Sequence, residues 1–235
     1  MRRGFTLIEA LVYASMMSLM VVILFTMFAA GVSNFRQGVG RIELQGEARR
    51  ILAPLRRDLF NSSYASVSHV ARTYDAPRDP MRNASTRPVQ RDGLCFRALR
   101  PGGSHQFDAD SGLPRWDCYC LYFATADMPE GRMVKALVSD GDPPTLDARP
   151  MSGLLAHQAA FLRFPNPANL LPGQLHTFSR QVLEFAVTPL DSDQSVQIKL
   201  VVRGAAGRLE MGHRSSAEIL ELNLTIRPVN TYPRL

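Results

Sequence analysis

From Ala10 to Phe35 the chain carries no charged side chain. As a helix rising about 1.5 Å per residue, that run is roughly 39 Å long, against a bilayer hydrocarbon core of about 30 Å. It is long enough to span a membrane. Arg2 and Arg3 precede it, and basic residues before a span favour a cytoplasmic start, with the rest of the chain leaving on the far side. A secretory signal peptide has an apolar region of only about 7–15 residues. The run here is longer, it is entered past a carboxylate, Glu9, and the helical pattern continues beyond it. The segment is therefore expected to stay in the mature protein.

Past Arg36 the helical pattern becomes amphipathic. Ile42, Ile51, Leu52, Leu55 and Leu59 recur at helical spacing, with Arg49, Arg50, Arg56, Arg57 and Asp58 between them. Pro54 interrupts the pattern and predicts a kink. One long helix is expected from about Phe5 to about Asn61. Residues 72–92, with Pro77, Pro80 and Pro88, read as a loop. After that the periodicity shortens. Leu94–Leu99, Cys118–Thr125, Met133–Val138, Val182–Thr188, Val196–Arg203 and Ile219–Ile226 read as strands. In the last of these, Leu220, Leu222, Leu224 and Ile226 alternate with Glu221, Asn223 and Thr225, the mark of a half-buried strand. Glycine and proline fill the connections at 101–103, 141–144 and 165–172. The expected fold class is α+β: a long N-terminal membrane-spanning helix packed on an antiparallel, β-rich periplasmic head. The expected divisions are residues 1–4 ahead of the helix, the span at 5–35, its amphipathic extension at 36–61 and the head at 62–235.

The 235 residues suffice for a real core plus an appendage, and 46% hydrophobic with 20% charged residues indicates a globular bulk. Net charge is +6, and of the 27 basic residues only Lys135 and Lys199 are lysines. The charges are interspersed with acids along the chain, which reads as a mixed solvated surface rather than a polybasic tail. Cys95, Cys118 and Cys120 form no zinc-ligand spacing. Cys118 and Cys120 are two apart in a strand and share a face, which suits them poorly to each other. In an oxidising compartment Cys95 could pair with either, leaving one thiol.

The stretch Gly4-Phe5-Thr6-Leu7-Ile8-Glu9-Ala10-Leu11-Val12 resembles the signature of type IV prepilins and type II secretion pseudopilins. It joins a short basic leader ending in Gly, a Phe at the next position, a Glu five residues into the mature chain and an apolar helix. The resemblance implies that a prepilin peptidase cuts between Gly4 and Phe5 and methylates the new Phe5 amine. It also implies that Glu9 meets the N-terminal amine of a neighbouring subunit. Physical chemistry agrees with these roles. Gly4 lets the backbone enter a tight cleft. A carboxylate in a membrane helix costs about 2.5–3.5 kcal/mol on insertion scales and marks function by default. Further on, Leu52-Ala53-Pro54-Leu55-Arg56-Arg57-Asp58-Leu59 is similar to the helix end of larger minor pilins and J-type minor pseudopilins.

No nucleophile elbow, phosphate-binding loop, dinucleotide fingerprint or H-E-x-x-H motif occurs. The five histidines, His69, His105, His157, His176 and His213, form no ligand pair. Asp108-Ala109-Asp110-Ser111-Gly112 resembles half of a calcium loop but lacks the third acid and the bidentate Glu, so a plain turn is expected. Trp116 is expected in the core. No cofactor, metal or catalytic role is expected. The resemblance implies a structural subunit of a type IV pilus or type II secretion pseudopilus, held in the inner membrane by one span with its head in the periplasm. Its implied partners are the prepilin peptidase, other pilin or pseudopilin subunits and the inner-membrane assembly platform. The alternative is a pilus-tip module contacting DNA or a surface, which a contiguous arginine face would favour and scattered arginines would oppose. A tethered enzyme is the third and weakest reading.

Overall fold

The computed structural model describes residues 6–79, 82–99, 107–139, 145–151, 170–204 and 219–230. The chain divides into two units, Met1–Glu43 and Leu44–Leu235. The first is helical throughout its described length after Thr6. It belongs to α1, which runs from Leu7 to Phe60 with Pro54 inside it. Its apolar side chains point outward, among them Leu7, Met16, Phe25 and Phe28, which is 71% exposed. No part of its most apolar window is buried. The helix is long and apolar enough to cross a membrane.

In the second unit α1 changes character. Leu44, Ala48, Ile51, Leu55 and Leu59 fall at intervals of three or four residues and are all buried. They cover one face of a seven-stranded antiparallel sheet, where they join Leu94, Phe96, Cys120, Tyr122, Phe185, Ile198, Leu200 and others in the main core. Ile42, expected in that stripe, is exposed, whereas Leu44 and Ala48 belong to it. A single 3₁₀ turn, Tyr64–Ser66, leads into the sheet.

The strands are β1 (Ser68–Val70), β2 (Thr73–Asp79), β3 (Arg82–Gln90), β4 (Gly93–Ala98), β5 (Cys118–Ala124), β6 (Gly131–Ser139), β7 (Leu170–Leu190), β8 (Ser195–Arg203) and β9 (Ile219–Ile226). The large sheet runs β1-β4-β5-β6-β7-β8-β9, so from β4 onward it is a meander of neighbours in sequence. The α+β architecture expected from the sequence is present: one long N-terminal apolar helix whose second part packs on an antiparallel sheet.

The expected loop at 72–92 is instead a two-stranded sheet of β2 and β3. Its prolines do not prevent pairing, because each strand has only one partner. Asp75 pairs with Pro88 and Pro77 with Thr86 in a ladder whose register shifts after Pro77, and a proline nitrogen is tolerated on such an edge. Ala76 and Val89 of this hairpin form a small core with Leu183 of β7 and Val201 of β8. β7 is also far longer than the expected Val182–Thr188, and its pairing is irregular opposite Gly131 and between Val182 and Glu184. Trp116 is buried, as expected, and its backbone bridges Thr145.

Candidate functional site

The helix begins on a reciprocal cap. Thr6 is the residue before the first turn, and its backbone N–H donates to Glu9 Oε2 at 3.2 Å. Its hydroxyl donates to the same oxygen at 3.0 Å, and the Glu9 N–H approaches Thr6 Oγ1 at 3.4 Å. This is the T-x-x-E capping box, which satisfies donors that the first helical turn leaves without partners. It places the carboxylate against the positive end of the helix dipole. Both bonds use Oε2, so among the described residues Oε1 accepts none. The Thr6-x-x-Glu9 spacing is the sequence signal of this box. Gly4 and Phe5, the expected cleavage pair, lie outside the described residues.

The other chemically organised point is where the end of α1 meets the sheet. Asp58 is half-buried on the helix and takes two donors on one oxygen. Tyr122 Oη of β5 donates to Oδ2 at 2.6 Å, and Lys135 Nζ of β6 pairs with the same atom. Arg57 Nε donates to Oδ1 at 3.3 Å. Lys135 also lies 5.8 Å from the Tyr122 ring centroid. Burial, then the neighbouring Cys120 and Asp58, pushes the Tyr122 phenol well above its ordinary range, so it stays a donor. Beside the group is a cleft of about 340 Å³ lined by Arg57, Asp58, Asn61, Phe107, Cys120 and Lys135. The arrangement ties helix to sheet. Burial drives the Cys120 thiol far above its usual value, which keeps it protonated and unreactive.

All three cysteines are buried thiols. The pairing considered for Cys95 is not made, and the ladder explains why. Cys95 pairs with Leu121 and Phe96 with Cys120. The side chains of Cys118 and Cys120 therefore enter the helix-side core, while that of Cys95 enters the opposite one with Tyr119, Leu121 and Val134. Successive residues of a strand point to opposite faces, so the sheet itself separates Cys95 from the other two.

A second buried charge organises the connection between β5 and β6. Arg91 donates from Nε to the Leu183 carbonyl at 3.3 Å, from one terminal nitrogen to Thr125 at 3.0 Å and to Asp127, and from the other to Pro129 at 2.8 Å. Four backbone acceptors thus replace water around a guanidinium whose pKa burial lowers. Next to it, Asp92 accepts the N–H groups of Arg72 and Val187 at 3.0 and 2.8 Å, and burial raises its carboxyl. Both residues serve the fold, and no sequence motif announced them.

Asp108 forms an ordinary turn. Its Oδ2 accepts the Ser111 N–H and hydroxyl at 3.0 and 2.6 Å, which holds the exposed carboxyl below its ordinary value. Gly112 takes the positive φ of 67° that closes the turn. Among the described residues no group of three His, Cys, Asp or Glu side chains is placed to hold a metal. His176 packs edge-on against Phe178 and His69 is exposed; His105, His157 and His213 lie outside the described residues. No protein-family model, curated protein or solved structure matches the chain.

Proposed function

We propose that the chain is a minor pilin or pseudopilin. In this reading it is a structural subunit that a prepilin peptidase cuts between Gly4 and Phe5 and methylates at Phe5. The mature subunit then enters a type IV pilus or type II secretion pseudopilus. It does no chemistry itself; it is the substrate of the processing enzyme. The observation that carries the reading is the union of the Gly4-Phe5 leader end, the Thr6–Glu9 cap and an outward-facing apolar helix behind them. A helix that is apolar on every side needs lipid or neighbouring helices around it, and a pilin has each in turn. The α1 extension under a β-rich head supports the larger minor classes. The tip-module alternative loses ground. Arg91, Arg97 and Arg203 are buried, and Arg50, Arg57 and Arg132 are paired with carboxylates. Among the described residues these six therefore add nothing to a phosphate-tracking groove.

The test is the intact mass of protein extracted from membranes. It is expected to show loss of residues 1–4 and gain of one methyl group, and Gly4→Val is expected to block both. A Met1 N-terminus persisting in cells with an active prepilin peptidase would sink the reading.

A further inference from the structure

The cleft at the end of α1 is built from more than the Asp58 group needs. One wall is the helix end, with Arg57 and Asn61. The segment after β9 is tied to that end. The Val229 and Asn230 N–H groups donate to the Phe60 and Ser62 carbonyls at 2.9 and 3.3 Å, and Asn230 Nδ2 donates to the Asn61 carbonyl at 2.8 Å. Another wall is Phe107, held by a backbone bridge to Pro114 and by the Asp108 N–H on the Leu113 carbonyl at 2.8 Å. Phe107 is a large apolar residue left 58% exposed.

The electrostatics of the cleft are unbalanced. The Lys135 side chain is mostly buried, and its ammonium carries three donors. Among the described residues Asp58 is its hydrogen-bond acceptor, through the oxygen that Tyr122 also uses. Arg57 spends Nε on the other Asp58 oxygen, and its side chain is 71% exposed. Two cations and one carboxylate thus line the cleft, and that carboxylate is already engaged at both oxygens. A mostly buried ammonium with spare donors favours an anion beside it. A surplus of one positive charge suits a single carboxylate better than a phosphate dianion. The guanidinium fork matches a carboxylate, and Ala98, Leu137 and Phe107 put apolar surface next to the charge. The Asn61 amide and Asn230 Oδ1 supply donors and an acceptor that match a peptide bond. The volume of about 340 Å³ is at the low end of ligand sites, room for a short piece of chain. We propose that this cleft binds an acidic peptide segment of a partner polypeptide. One Asp or Glu carboxylate of the segment meets Lys135 and Arg57, and an apolar neighbour packs on Phe107.

The test is calorimetric titration of the full-length chain, solubilised in non-ionic detergent, with the blocked tetrapeptide acetyl-Ala-Phe-Glu-Ala-amide. Its isostere with Gln in place of Glu is expected to bind about tenfold more weakly, the scale of a lost charge-assisted hydrogen bond. Arg57→Gln is expected to weaken the Glu peptide by a similar factor, and Phe107→Ala by about fivefold through lost aromatic packing. Both side chains are exposed, so melting temperatures close to the parent's confirm that these variants fold. Failure of the Glu peptide to bind, or equal binding of the Glu and Gln peptides, overturns the proposal. Parental affinity in both variants overturns it too, by placing the peptide elsewhere. A free acid with the same groups, 4-phenylbutanoate, is the last arm. If it binds as tightly as the Glu peptide, the ligand is a small carboxylate and the polypeptide assignment falls.

Discussion

Asp58 shows how a single side chain can decide where a helix ends on a sheet. It is flanked by Leu55 and Leu59, both buried, so its carboxylate is carried to the edge of the core. Tyr122 and Lys135 then meet it there. Removing one partner of a buried pair leaves the other uncompensated, at about 3–5 kcal/mol when burial is complete. Asp58 and Lys135 keep 14% and 17% side-chain exposure, so Asp58→Ala is expected to lose toward the lower end of that range. Thermal melts of the detergent-solubilised chain would read it, and Lys135→Met in the same background should return part of the loss. Tyr122 adds a pH signature. Its folded-state pKa is raised, so the neutral phenol is favoured in the fold. The stability it contributes is full below the unfolded value of about 10 and is lost as pH climbs above it. Tyr122→Phe should flatten the fall of melting temperature between about pH 9 and 11, while costing about 1 kcal/mol at neutral pH for the lost hydrogen bond. An unchanged alkaline slope would show that Tyr122 does not set it. The sequence offered the Leu-Arg-Arg-Asp-Leu pattern but not its partners, because Tyr122 and Lys135 reach Asp58 only through strand register, 64 and 77 positions away.

At the scale of elements, the parts set by local periodicity were legible and the parts set by pairing were not. The α1 helix and the alternating β9 were readable because apolar spacing is a property of neighbours in sequence. The hairpin of β2 and β3 was not. Its prolines and charges look like a loop, and only the choice of a two-stranded partner makes them acceptable. The length of β7 was hidden in the same way, since glycine and proline near its start lie in a bulged, irregular ladder. The Arg91 knot illustrates a constraint that no window of sequence contains. At Gly131, which opens β6, an added Cβ would sit 2.5 Å from the Thr125 carbonyl oxygen and 3.1 Å from an Arg91 guanidinium nitrogen. Neither neighbour is a loose side-chain end: one is backbone, the other is fixed by four carbonyls. Gly131→Ala is therefore expected to cost about 1–3 kcal/mol, as overpacking does. Gly46→Ala, where nothing lies within 4 Å, should instead gain a few tenths up to about 1 kcal/mol from helix propensity. Paired denaturation curves of the two variants would test the contrast, and equal effects would count against the crowding at Gly131.

The whole molecule is a membrane-anchored protein with a β-rich extracytoplasmic domain, and under the proposed function its N-terminus must pass from lipid into a filament. Glu9 caps the helix, and the proposed function gives it a second role that substitution can separate from the first. As a cap it needs only an acceptor oxygen for Thr6, and glutamine fills that position of a capping box as glutamate does. As a charge it can answer the amine that cleavage before Phe5 would create, and glutamine cannot. Glu9→Ala loses both the cap and the charge; Glu9→Gln loses only the charge. Either change removes the insertion penalty of a carboxylate, about 2.5–3.5 kcal/mol, so both variants are expected to accumulate in the membrane at least as well as the parent. If assembly depends on charge pairing between subunits, both should be missing from sheared filaments and from crosslinks to neighbours. If the cap is what matters, Glu9→Gln should assemble and only Glu9→Ala should fail. The charge reading predicts the first pattern, because two unit charges about 4 Å apart gain about 4 kcal/mol at an effective dielectric of about 20, before desolvation, whereas an N-cap contributes about 1 kcal/mol. Membrane abundance and filament incorporation measured on the same cells decide it, and normal incorporation of Glu9→Gln would remove Glu9 as the element that sets register between subunits.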